Sequence, residues 1–98
     1  MKTPKRIMDA ARGEPCTLNI AGVCSYDNET TVVCHLPDGS GGSNRLTGPL
    51  SIAFGCSECH DVLDGRTTVL VAEDREFYMR RGQSRTINRL IEMGLVRI

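Results

Sequence analysis

Cys56-Ser57-Glu58-Cys59-His60-Asp61 decides the reading of this chain: a Cys-x-x-Cys pair with a histidine fused to its end. The turn of such a pair brings two thiolates onto one ion, and the N-terminus of the helix expected to follow favours their negative charge. Upstream stand Cys16 and Cys24, a second pair separated by seven residues and looser than the usual knuckle. Two pairs suffice for one tetrahedral ion, so Cys16, Cys24, Cys56 and Cys59 are expected to bind a structural Zn(2+). Buried free thiols and a redox pair are the alternatives. A thioredoxin-like redox site would need a surrounding β-α-β pattern, which the sequence lacks. Cys34 lies in an apolar run and reads as a small buried hydrophobe rather than a fifth ligand.

The whole chain fits a metal-stapled domain. With 98 residues it is expected to form a single domain over 1–98, at the small end of what folds unaided. It has no Trp, two Tyr and two Phe, so a thin aliphatic core needs an additional staple. Net charge is zero but unevenly spread. Lys2, Lys5, Arg6 and Arg12 face Asp9 alone, the middle is acidic, and no acid falls between Arg80 and Arg89. A basic footprint for nucleic acid is therefore local rather than global. Five cysteines, an odd number, and no apolar signal sequence after Met1 point to a reducing cytoplasm. No run approaches the roughly twenty apolar residues of a membrane span.

The pattern along the chain is mixed α+β. Lys5 to Arg12 reads as a short helix with Thr3 as N-cap, Pro4 in the first turn and Gly13 as stop. Residues 16–24 read as a compact knuckle. Thr30 to Leu36 is β-branched and apolar, a strand candidate that runs into the glycine-rich stretch 37–44. Leu50 to Phe54 is expected to return as a second strand or extended segment. Ser57 to Asp64 reads as a helix stopped by Gly65, with His60 and Asp64 on one side. Thr67 to Val71 passes as a strand or a linker. Ala72–Arg81 and Ser84–Met93 read as two helices broken by Gly82, the second ended by Gly94 and carrying a core stripe of Ile87, Leu90 and Ile91.

Cys34-His35-Leu36-Pro37, the glycines 39, 41 and 42, and Cys56-Ser57-Glu58-Cys59-His60 together resemble the HNH nucleases, which share the ββα-metal fold. More narrowly, Ala10-Ala11-Arg12-Gly13 leading to Cys16, Gly22-Val23-Cys24, Cys59-His60-Asp61 with Asp64, and the closing Gly94-Leu95-Val96 are similar to the small prophage-encoded nuclease family of the YbcO type. The likeness spans nearly the whole chain. It implies a zinc-stapled ββα-metal core with an N-terminal helix and C-terminal helices. It also implies structural zinc on the four paired cysteines, His35 as general base, and a catalytic Mg(2+) or other divalent ion on His60 with Asp64 on the same helical face. Cys34 stands where the family line has an Asp, and Ser51 falls near its central Asn.

The implied chemistry is phosphodiester hydrolysis, with DNA the expected nucleic acid and the cytoplasm of a phage or prophage host the expected place. An imidazole takes the water proton, and one ion stabilises the phosphorane and the leaving 3′ oxygen. Arg45 and Arg66 are candidates for added positive charge at the phosphate. Arg81, Arg85 and Arg89 share a face if the helix continues through Gly82, a stripe able to track phosphates; a solvated face partnered by Glu76 and Glu92 is the alternative. The rival function is a non-catalytic zinc module contacting nucleic acid or a phage protein, favoured by Cys34 and Ser51.

Overall fold

The computed structural model describes residues 2–37, 48–67 and 70–98. The glycine-rich stretch from Asp38 on, Arg45, and part of the Thr67–Val71 segment lie outside the described residues. Helix α1 (Lys5–Ala10) opens the fold and a short 3-10 turn (Asn28–Thr30) leads into β1 (Val32–His35). β2 (Ile52–Gly55) precedes α2 (Ser57–Leu63) and the long α3 (Ala72–Glu92).

β1 and β2 form a two-stranded antiparallel sheet, with Val33 opposite Phe54 and Cys34 opposite Ala53. Pairing runs one residue beyond the strands: the Leu36 amide donates to the Ser51 carbonyl (2.8 Å), and the buried Ser51 hydroxyl donates to the Leu36 carbonyl (3.0 Å). Alternation gives each face its own core. Val33, Ile52 and Phe54 meet Ile7, Ala11 and Leu90 on one face. Cys34, Leu36 and Ala53 meet Leu18, Val62, Leu63 and Met79 on the other. The α+β class and the order strand, strand, helix follow the sequence expectation.

Four local expectations are corrected. Thr3 does not cap α1: Pro4 holds the cap position, and the Thr3 hydroxyl donates to the Pro49 carbonyl (2.9 Å), tying the N-terminus to the approach of β2. The first strand is shorter than Thr30–Leu36, because Thr30 closes the 3-10 turn. Gly82 does not break a helix; α3 runs unbroken through it. The buried stripe of α3 is Met79, Gly82, Thr86 and Leu90, while Ile87 and Ile91 are half-buried.

Gly82 is a contact rather than a stop. A Cβ there would lie 2.8 Å from Leu18 Cδ2 and 3.1 Å from Ala53 Cβ, so the bare backbone lets α3 sit directly on β2 and on the knuckle. Four residues on, Thr86 closes the outer edge of β2. Its Oγ1 accepts the Phe54 amide (2.9 Å), while the Thr17 hydroxyl donates to the Phe54 carbonyl (2.8 Å). The Thr17 proton being committed, Thr86 donates across the 3.1 Å between the two hydroxyls. Both outward backbone groups of Phe54 are thus satisfied without a third strand.

In an exposed helix Gly→Ala stabilises by about 1 kcal/mol. Gly82→Ala is expected to do the opposite, since overpacking costs about 1–3 kcal/mol and Ala53 cannot withdraw from β2. A thermal unfolding midpoint several degrees below wild type is the expected result; an unchanged or raised midpoint would show that Leu18 rearranges freely.

Candidate metal centre and the two histidines

The sulfurs of Cys16, Cys24, Cys56 and Cys59 all lie within 4.8 Å of one another, the one such cluster of three or more His, Cys, Asp or Glu ligands among the described residues. Sulfurs about 2.3 Å from a tetrahedral zinc stand about 3.8 Å apart. Cys24 and Cys56 are separated by 3.9 Å. The donor set and its spacing fit zinc.

Two turns of like geometry build the centre. At the start of α2 Cys56 is the N-cap residue, and its sulfur accepts the Cys59 amide (3.4 Å). In the first knuckle the Cys16 sulfur accepts the Asn19 amide, also at 3.4 Å. Asn19 thus stands where a Cys-x-x-Cys turn would carry its second cysteine, and its backbone is left-handed (φ 44°). Its side-chain nitrogen donates onward to the Cys24 sulfur (3.5 Å). The chain then turns at Ile20, whose carbonyl accepts the amides of Val23 and Cys24. That added turn is why a pair seven residues apart closes on one point.

The sulfurs share charge unequally. The Cys16 thiol is brought down to about 4, chiefly by the hydrogen bond from Cys59 and, against burial, by the Asn19 amide. Cys59 is pushed up by the same bond. Burial raises Cys24. Burial also opposes ionisation of Cys56, but the Cys59 amide and Ser25 outweigh it and lower the thiol. A divalent cation in place of the protons would let all four ionise. Cys34 stays apart from the cluster, fully buried, its thiol pushed up to about 12 by burial and by the nearby Cys16.

The arginines expected to form an open stripe hold this centre from behind. Arg81 donates to the carbonyls of Leu18 (2.9 Å) and Asn19 (3.3 Å). Arg85 donates to the Thr17 carbonyl (3.3 Å) and to Asn19 Oδ1 (3.0 Å). Arg89 pairs with Glu14 at 2.6 Å, just before the knuckle, and more loosely with Glu92. They do share one side of α3, and that side is turned to residues 14–19. Asn19, which links the sulfurs to Arg85, is missed by reading ligand types alone; its one signal is its place three residues after Cys16.

His60 and Asp64 meet as their spacing predicts, Nε2 to Oδ2 at 3.2 Å, both about one-third exposed. Arg66 steadies that end of α2 through Asp61 (3.5 Å) and the same Asp64 oxygen (3.7 Å). No third described ligand joins them. His35 ends β1, exposed. It pairs with Ile52, which puts it on the face of Val33 and Phe54, whereas α2 packs on the face of Cys34 and Ala53.

Comparison with known proteins adds a family. The sequence profile described as "Putative nuclease YbcO" matches residues 5–95. The chain is 33% identical over 89 residues to "Putative nuclease YbcO" of Escherichia coli (strain K12), covering 90% of this chain and 93% of that one. Its counterpart from Enterobacteria phage 82 matches to the same extent. A solved structure described as "a putative bacteriophage protein from Escherichia coli str. K-12 substr. MG1655" superposes with a TM-score of 0.74 at 31% identity, over 89% of this chain and 98% of that one.

Metal analysis is expected to find one zinc per chain, lost in Cys59→Ser together with cooperative unfolding. Asn19→Ala is expected to keep the fold but weaken zinc about tenfold or more in chelator competition, as loss of a ligand-orienting partner does. Equal retention by Asn19→Ala and wild type would leave Asn19 no part in metal binding.

Proposed function

This chain belongs to the family of the putative nuclease YbcO, and from that membership we propose that it is a metal-dependent endonuclease of the HNH type, hydrolysing phosphodiester bonds of nucleic acid, DNA first among them. The observation that carries the reading is the exposed imidazole of His35 at the end of β1, in a β1–β2–α2 succession stapled by four cysteines.

Hydrolysis needs a nucleophilic water and a sink for the charge that builds on the phosphorane. His35 has no side-chain partner among the described residues, so its ring nitrogen is available to take the water proton. The Ser51 hydroxyl, bonded to the carbonyl of the next residue, Leu36, fixes the backbone that carries His35. Ser51 in this way takes over the anchoring expected of the family's Asn. His60 and Asp64 are the residues that would hold Mg(2+) or another divalent ion; with two protein ligands it keeps most of its waters. Such an ion supplies positive charge to the phosphorane and the leaving oxygen. Arg66 orients the Asp64 carboxylate. Cys34, buried and protonated, contributes no ligand. Action in the cytoplasm of a phage-bearing host belongs to the same proposal; no helix among the described residues is long and apolar enough to cross a membrane.

The buried Cys34 in place of a family carboxylate favours a second reading, a zinc module that binds nucleic acid or a phage protein without cleaving it.

Plasmid nicking with added divalent ion separates the two. His35→Ala is expected to nick about 10²–10⁴-fold more slowly than wild type with equal zinc content. Equal rates would remove His35 from the mechanism, and a wild type inert with every divalent ion tried would leave the non-catalytic module.

A further inference from the structure

Five arginines lie on α3, and four of them are engaged. Arg75 donates to the Leu63 carbonyl, Arg81 and Arg85 hold the knuckle, and Arg89 pairs with Glu14. Among the described residues Arg80, of these five, has neither an ion pair nor a hydrogen bond, although it follows Glu76 by one helical turn. It lines a groove of about 310 Å³ between α3 and the Leu36–Ser51 end of the sheet. Leu36, Pro37 and Ser51 form one wall, and Glu76, Arg80 and Gln83 stand on the other. Leu36 and Pro37 directly follow His35 in the chain.

A second observation lies on the same stretch of helix. Phe77 is 56% exposed, whereas Phe54, the other phenylalanine, is fully buried. The Arg81 guanidinium lies 5.0 Å from the Phe77 ring centre, and the Tyr78 ring abuts it edge-on at 5.4 Å, so the ring is held in place while remaining open to solvent. Phe77 precedes Arg80 by three residues, which makes them neighbours on the helix surface. A fixed, exposed aromatic ring beside an unpaired guanidinium is the arrangement that receives single-stranded nucleic acid, one group taking a base face and the other a phosphate.

Building on the nuclease reading, we propose that the N-terminal half of α3, and not its Arg81–Arg85–Arg89 side, is the strand-binding surface: Arg80 contacts a backbone phosphate at the groove walled by Leu36, Pro37 and Ser51, and Phe77 stacks a base. Glu76, on the same groove wall, opposes the phosphate and limits affinity. Glu73 and Asp74, in the first turn of α3, mark where the footprint stops.

The test is anisotropy of a labelled single-stranded oligonucleotide titrated with zinc-loaded full-length protein in a His35→Ala background, over a range of salt. Unfolding midpoints and zinc content serve as fold controls. Arg80→Gln is expected to weaken binding and lower the log–log salt slope by about 0.7, one single-strand phosphate. Phe77→Ala is expected to weaken binding about tenfold with the slope unchanged. Glu76→Gln is expected to tighten it, and the exposed Arg97, changed to Gln, serves as the charge control. Arg80→Gln indistinguishable from Arg97→Gln, or a parent that binds no oligonucleotide, overturns the proposal. A lowered slope in a protein that never nicks DNA keeps this surface and sinks the nuclease reading; nicking with an unchanged slope does the reverse.

Discussion

Four cysteine sulfurs within 4.8 Å of one another are a constraint before they are a site. Four thiolates at that range repel one another, and the hydrogen bond between Cys16 and Cys59 lowers the first thiol and raises the second. A divalent ion removes the conflict. It would also join the knuckle of residues 16–24 to the first turn of α2, which already share an apolar cluster of Leu18, Ile20, Val62 and Leu63. The amides of Asn19 and Cys59 and the Asn19 carboxamide spread the remaining negative charge. In a chain with two phenylalanines and no tryptophan, this cluster does what a larger apolar core does elsewhere.

The rest of the architecture is α3 laid against that staple by polar and steric means. Gly82 brings the helix backbone onto Leu18 and Ala53. Thr86 and Thr17 close the edge of β2 at Phe54. Arg81 and Arg85 hold the carbonyls of residues 17–19, which a short knuckle cannot pair internally. One helix thereby fixes the metal turn from behind and the sheet from the side. The residues proposed for chemistry sit at the periphery of this frame, on a strand end and the last turn of a short helix.

What was legible in the sequence was what depends on neighbours in the chain. Cys-x-x-Cys-His at a helix start, the paired His60 and Asp64, Cys34 as a buried thiol, and the stops at Gly65 and Gly94 follow from local spacing and backbone preference, both glycines having positive φ. What failed depends on distant partners. Gly82 read as a break because its propensity cost of about 1 kcal/mol is visible, while the contact that reverses its meaning comes from residues 18 and 53. Thr3 read as a cap because Pro49 is far away in sequence. The spacing of Arg81, Arg85 and Arg89 showed that they share a side of the helix, but not that their guanidiniums are engaged by residues 14–19. Asn19 shows only its place three residues after Cys16, and Thr86 carries no pattern at all; its role exists only after the knuckle and the sheet have met α3.

The contact between Thr17 and Thr86 joins two ends of the chain's production schedule. A ribosome adding about 5–20 residues per second exposes the cysteine knuckle several seconds before the helix that braces it emerges. During that interval the Phe54 amide lacks the Thr86 hydroxyl that accepts it, and Asn19 has no guanidinium behind it. Of the thiols destined for the metal, those made first wait longest. Thr17, made early, already offers its hydroxyl to the Phe54 carbonyl once β2 forms, while the amide side of that strand waits for α3.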